Sequence, residues 1–214
     1  MATLTQFIFS TGAPLNTVIS PLEKSLPTYT IETSQAPTSG STDVISNAST
    51  TILRGDKEVA LIEWKALAQT SITITAGTAE KKGLVGDIFV LDNWPNNSLT
   101  VPMPDDTTWK WKLEKRTSKS AAKLVLLDTG KRAAASYLLP DPAPEEGPLS
   151  TPVLEVESTL APPVLDYVVI SWVIMIHHIE TQRLASKADG WASGIPGAIT
   201  ALLYATRGAF TSTT

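Results

Sequence analysis

The chain has no cysteine, and that absence removes disulfides, thiolate metal sites and cysteine nucleophiles together. It suits a reducing compartment, so the expected location is cytoplasmic. Histidine is nearly absent as well, His177 and His178 being the only two. Adjacent helical residues point about 100° apart, so this pair is badly placed to grip one metal ion. No metal and no cofactor is expected, and a place at a helix end, where a protonated imidazole suits the dipole, is the preferred reading of both. Charge is also sparse, at 18% of residues with a net value of −4. That balance offers no basic face for nucleic acid. The amino terminus, MATLTQFIFSTGAPLN, lacks a basic stretch and a sustained apolar one, and so has no secretory pattern. The N-x-S/T triplets at Asn47 and Asn96 are then read as chance matches in polar loops.

Catalytic motifs are equally scarce. No G-x-S-x-G, P-loop or G-x-G-x-x-G occurs, which leaves hydrolase, nucleotide and dinucleotide readings without support. DTG at 128–130 resembles the turn that carries an aspartic-protease carboxylate. It is followed by Lys131 and has no second copy, so it is read as a hairpin turn between two apolar runs.

What the chain does hold is a succession of short runs rich in Val, Ile, Thr and aromatics, separated by Gly, Pro, Asn and Asp. Such spacing is that of a many-stranded antiparallel sheet or barrel. The runs are TLTQFIF from Thr3, NTVI from Asn16, TYTIET from Thr28, DVIS and STTILR within 43–54, EVALIEW from Glu58 and SITIT from Ser71. They continue with DIFVL from Asp87, SLTV from Ser98, TWKWKLE from Thr108, KLVLL from Lys123, AAASYL from Ala133 and TPVLEVE from Thr151. The clearest is TTWKWKLEK, whose alternation puts Trp109, Trp111 and Leu113 on one face and Lys110, Lys112 and Glu114 on the other. RGDKE at 54–58 supplies a second Gly-containing hairpin turn. Between 139 and 163 the chain is thick with proline and acid, which makes a surface loop with one strand inside it.

One segment departs from this pattern. Between Tyr167 and Ile176 every residue except Ser171 is apolar, which leaves no helical face for water. Ten residues of helix cover about 15 Å, half of a hydrocarbon core of about 30 Å. The expectation is therefore a buried central helix over about 164–185, enclosed by the strands, with no transmembrane span. Pro162 and Pro163 stand before its start, and Asp166 complements its dipole.

NTVI, YTIET, TTILRGDKEVALIEWKAL, WKWKLEKR, KLVLLDTGKRAAASYL and LEVESTLAPPVLDYVVISWVIMIHHIETQR together resemble an uncharacterised fungal family found chiefly in mushrooms. That family is similar to the tubby C-terminal, phospholipid-scramblase and LURP-one group, and the resemblance covers about residues 3–185. It implies a closed antiparallel barrel of about twelve strands around a C-terminal hydrophobic helix, the fold class expected here. It hints at a lipid ligand and carries no binding motif across residue by residue. The domain expected is 1–186, with 187–214 as an appended apolar tail that packs on the barrel or lies at a membrane interface.

The densest positive cluster is KWKLEKRTSKSAAK, with Lys110, Lys112, Lys115, Arg116, Lys119 and Lys123 against one acid, Glu114. Projecting from a barrel rim, such a hairpin suits phosphate or lipid headgroups; lysines that merely guard a strand edge are the plainer account. The function expected is a non-enzymatic intracellular binding protein for anionic phospholipid or a protein partner, peripheral at a membrane if attached. The alternative is a small-molecule carrier or enzyme with a pocket at a barrel mouth, lined by aromatics such as Trp64, Trp94 and Trp172.

Overall fold

The computed structural model describes residues 3–11, 13–35, 48–65, 69–76, 80–90, 98–114, 122–139 and 152–192, with side chains as far as Thr181. The strands β1 (Leu4–Phe9), β2 (Thr17–Pro21), β3 (Tyr29–Gln35), β4 (Ala48–Arg54), β5 (Lys57–Glu63), β6 (Ser71–Ile74) and β7 (Lys81–Leu84) lead into a one-turn helix, α1 (Val85–Ile88). Then β8 (Ser98–Pro102), β9 (Thr108–Glu114), β10 (Lys123–Leu127), β11 (Ala133–Leu138) and β12 (Val153–Glu157) precede the 31-residue helix α2 (Pro162–Ala192). Among the expected elements, DVIS at 43–46, residues 140–151 of the proline-rich loop, Asn47 and Asn96 of the N-x-S/T triplets and the tail from 193 lie outside the described residues.

All twelve strands form a single antiparallel sheet in the order β7-β6-β5-β4-β3-β2-β1-β12-β11-β10-β9-β8. Period-two alternation produces it. β1 buries Thr5, Phe7 and Phe9 and exposes the residues between, while β9 buries Trp109 and Trp111 and turns Lys110 and Lys112 outward. The hairpins are set by local backbone chemistry. Gly55 takes φ +57° between β4 and β5, a region that costs glycine nothing. Between β10 and β11 it is Lys131, not Gly130, that takes φ +60°. Asp128 holds this turn, accepting the Arg132 N–H at 2.8 Å and pairing with the Arg132 guanidinium at 2.7 Å. The DTG carboxylate is thus a turn fastener.

Every residue from 165 to 176 on α2 is at most 3% exposed. Side chains from both halves of the sheet meet it: Phe9 of β1 and Tyr137 of β11 against Trp172, Tyr29 of β3 and Arg54 of β4 on Asp166, and Trp111 of β9 on Ser171. The sheet therefore curls round the helix, and the core lies between them. Burying each large side chain stabilises by about 1.5–3 kcal/mol. Length does not separate this helix from a membrane span: Pro162–Thr181 is apolar enough over 20 residues to cross a bilayer, with a mean hydropathy of 1.4. Burial separates them, since 72% of the most apolar stretch is buried inside the protein.

Three expectations are corrected. Hydrogen-bonded closure of the sheet is not found, because among the described residues no ladder joins β7 to β8. β7 is only four residues long and turns at once into α1, after which Val90 pairs with Thr100 on the outer edge of β8 through bonds of 3.1 and 2.9 Å. α1 and this single bridge occupy the seam. For the same reason the described residues of DIFVL, 87–90, form no strand: the first two close α1, and among the four Val90 alone pairs. The helix, finally, runs past 185 to Ala192.

Candidate functional site

β9 carries the cationic residues singled out in the sequence. Alternation sends its tryptophans into the core, so Lys110 and Lys112 must emerge on the outer face. In register, Lys112 lies between Ser98 of β8 and Val125 of β10, Lys110 between Thr100 and Leu127, and Lys123 between Glu114 and Leu138. The structure thus brings Lys110, Lys112 and Lys123 to one outward face. Lys115, Arg116 and Lys119 lie outside the described residues.

The face is less uniformly basic than the sequence implies. Glu155 of β12 accepts the Ser136 hydroxyl at 2.8 Å and lies 4.0 Å from the Lys123 ammonium. With side chains 40% and 34% exposed, that ion pair contributes under about 1 kcal/mol and leaves Lys123 available to a stronger anion. Nothing in the local sequence around Lys123 could have announced Glu155, which arrives through strand order.

A concavity lies at the seam. It is an open groove of about 450 Å³ lined by the polar Lys81, Asp87, Thr100 and Thr108 and by the apolar Ile88, Val90 and Pro102. Neither Trp64 nor Trp172, two of the tryptophans expected to line a pocket, lines it. Trp172 is fully buried and Trp64 is 3% exposed, both in the core, and Trp94 lies outside the described residues.

Inside the molecule the polar groups on α2 are spent on fixing the helix. Asp166 is fully buried; it accepts the Tyr29 hydroxyl at 2.8 Å on one oxygen and the Arg54 guanidinium at 3.0 Å on the other. Burial holds its carboxyl above the ordinary value against the opposing pull of Tyr29, Arg54 and Lys57. Burial, together with the Asp166 carboxylate, pushes the Tyr29 phenol up. Ser171 accepts the Trp111 indole N–H at 2.8 Å and donates to the Tyr167 carbonyl at 2.6 Å. These contacts were missed in the sequence, where one signal existed: a carboxylate at the head of a segment greasy on all sides must find partners. The partners stand 112 and 137 residues away.

The histidines are corrected too. His177 is no helix-end cation but lies mid-helix, its ring stacked on Trp64 at 3.6 Å and 7°. Burial pulls its pKa down to about 4, so the ring is neutral. Trp64 is itself anchored by its indole N–H, which donates to Thr50 at 2.7 Å. Among the described residues no group of three or more His, Cys, Asp or Glu side chains could hold a metal ion.

No curated protein and no solved structure matches the chain. A family model described only as a family of unknown function, DUF6593, matches residues 12–180, the span from the first hairpin to the buried part of α2, and the chain belongs to that family.

Proposed function

We propose that the protein is a non-enzymatic binding protein of the cytoplasm, whose outer β9–β10 face takes the phosphate of anionic lipid headgroups and attaches it peripherally to a membrane. The observation that carries this reading is the shared outward face of Lys110 and Lys112 on one rigid strand, with Lys123 on the next. Cations held by paired strands bind phosphate with little loss of backbone freedom. By sequence Lys115, Arg116 and Lys119 belong to the same hairpin and add to its charge. On the same footing, a twelve-stranded antiparallel sheet curled round a last apolar helix supports a tubby-like barrel, with α1 at its seam, and the resemblance to the mushroom family supports a fungal source.

Liposome flotation tests the ligand. Binding to phosphoinositide vesicles is expected at low salt, weakened by salt and by Lys112, Lys115 and Arg116 together changed to Ala. Absence of binding at low salt, or binding indifferent to those changes, overturns the reading. A second reading, a small-molecule carrier, is favoured by the seam groove alone, whose volume of about 450 Å³ lies within the range of ligand sites. A Thr100→Trp substitution that fills the groove and abolishes retention of a co-purifying small molecule would select it.

A further inference from the structure

Strand direction fixes which end of the sheet α2 leaves. Its early residue Asp166 meets Tyr29 at the start of β3 and Arg54 at the end of β4, whereas His177 meets Trp64 just beyond the end of β5. α2 therefore runs parallel to β3 and β5 and exits at the end where β9 and β11 finish and β10 and β12 begin. Along the outer rim of that end one row of side chains reads Glu114, Lys123, Leu138, Val153 and Ile8. Glu114 pairs with Lys123, Lys123 with Leu138 and Val153 with Ile8, and continuing the register past Tyr137 and Leu154 sets Leu138 beside Val153. Leu138 is 47% and Ile8 39% exposed, at outward positions where a solvated strand carries polar residues.

We propose that this rim is the membrane-facing end of the molecule, with Leu138 and Ile8 entering the interface of an anionic bilayer while Lys112 and Lys123 hold headgroup phosphates. The inference rests on the headgroup reading above and adds an apolar component to it. A lipid surface is favoured over another occupant by charge complementarity, since the apolar pair continues the row beyond Lys123, and Lys110, Lys112 and Lys123 outnumber the acids Glu114 and Glu155 beside them on that face. Lysines of this kind reach the headgroup layer while their neighbours sit at the acyl boundary. The sequence after α2 agrees. α2 ends at Ala192 on this side, and the sequence that follows carries Ile195, Ile199, Leu202 and Leu203 with Arg207 as its one charge. One weak apolar contact seldom anchors a protein, but combined with cations it does.

The test is flotation of the full chain with vesicles of phosphatidylcholine mixed with phosphatidylserine, at low and high salt, beside vesicles of phosphatidylcholine alone. The wild-type chain is expected to bind the mixed vesicles and to keep part of that binding at high salt. Leu138→Ser with Ile8→Ser should lower the salt-resistant part about tenfold or more, with circular dichroism unchanged. Lys112→Ala with Lys123→Ala should remove the salt-sensitive part. If the serine pair binds as wild type at both salts while the alanine pair does not, the rim inference falls and the headgroup reading stands. If the wild-type chain ignores phosphatidylserine but binds phosphoinositide vesicles, the rim inference falls and the headgroup reading stands; if it ignores both, both fall. A wild-type dimer that the serine pair makes monomeric identifies the rim as a self-interface and overturns the inference.

Discussion

Asp166 shows what a single charge does inside an apolar core. A carboxylate with no exposure is costly unless each oxygen is met, and here Tyr29 meets one and Arg54 the other. Such contacts give α2 one register in the sheet. Asp166→Ala strands the buried Tyr29 hydroxyl and a guanidinium only 23% exposed; urea denaturation should show a loss of about 3–5 kcal/mol, and Asp166→Asn, which keeps the shape and one acceptor, should lose less. The pH dependence has two opposing parts. The carboxyl of Asp166 is raised from 3.8 by burial, so its contribution is complete below that value and is lost as pH rises through the folded one. His177 is lowered from 6.5 to about 4 by burial, so its contribution is complete above 6.5 and is lost as pH falls through 4. Between those limits the histidine accounts for at most about 3 kcal/mol of acid destabilisation. His177→Phe, which keeps a ring against Trp64, should flatten that slope in denaturant titrations between pH 7 and pH 4.

At the scale of elements, legibility followed local pattern. β9 was plain in the sequence because alternating tryptophans and lysines admit one half-buried arrangement. β7, with the sequence KKGL, has no apolar alternation, and pairing with β6 alone makes it a strand. Residues 87–90 carry strand-forming side chains, yet Asp87 and Ile88 complete α1 because the chain must cross the seam in a few residues. The candidate site was legible in its cations, which cluster within 110–123 of the sequence, and illegible in Glu155, which depends on the neighbouring of β11 and β12. Turns divide in the same way. That DTG closes a hairpin was legible; that Lys131 rather than glycine takes the left-handed conformation was not. Lys131→Gly should raise stability by about 1 kcal/mol, seen as a higher thermal midpoint. Gly130→Ala should not, since its Cβ would meet Asp128 Oδ1 at 3.2 Å, the atom that accepts the Arg132 N–H.

For the whole molecule, the arrangement makes helix and sheet one cooperative unit. The segment 165–176 has no polar face, so its stability comes from the strands around it rather than from intrinsic helicity. Those strands, in turn, close their core only on Trp172 and its neighbours. Phe9 and Tyr137 both lie 5.2 Å from the Trp172 ring, and the buried Trp172 Nε1 finds no hydrogen-bond partner among the described residues, so ring packing alone seats this side chain. Phe9→Ala should therefore cost about 3–5 kcal/mol, although it lies in the first strand and the helix in the last element. Native-state hydrogen exchange would show where that cost falls. If the sheet provides the helix with its apolar surroundings, amides of 165–176 and of β1, β3, β9 and β11 lose protection by the same free energy, because they open together. A helix held by lipid or detergent would keep its protection while the strands lost theirs. That outcome would separate the two elements, and with them the account of α2 as the core of this sheet.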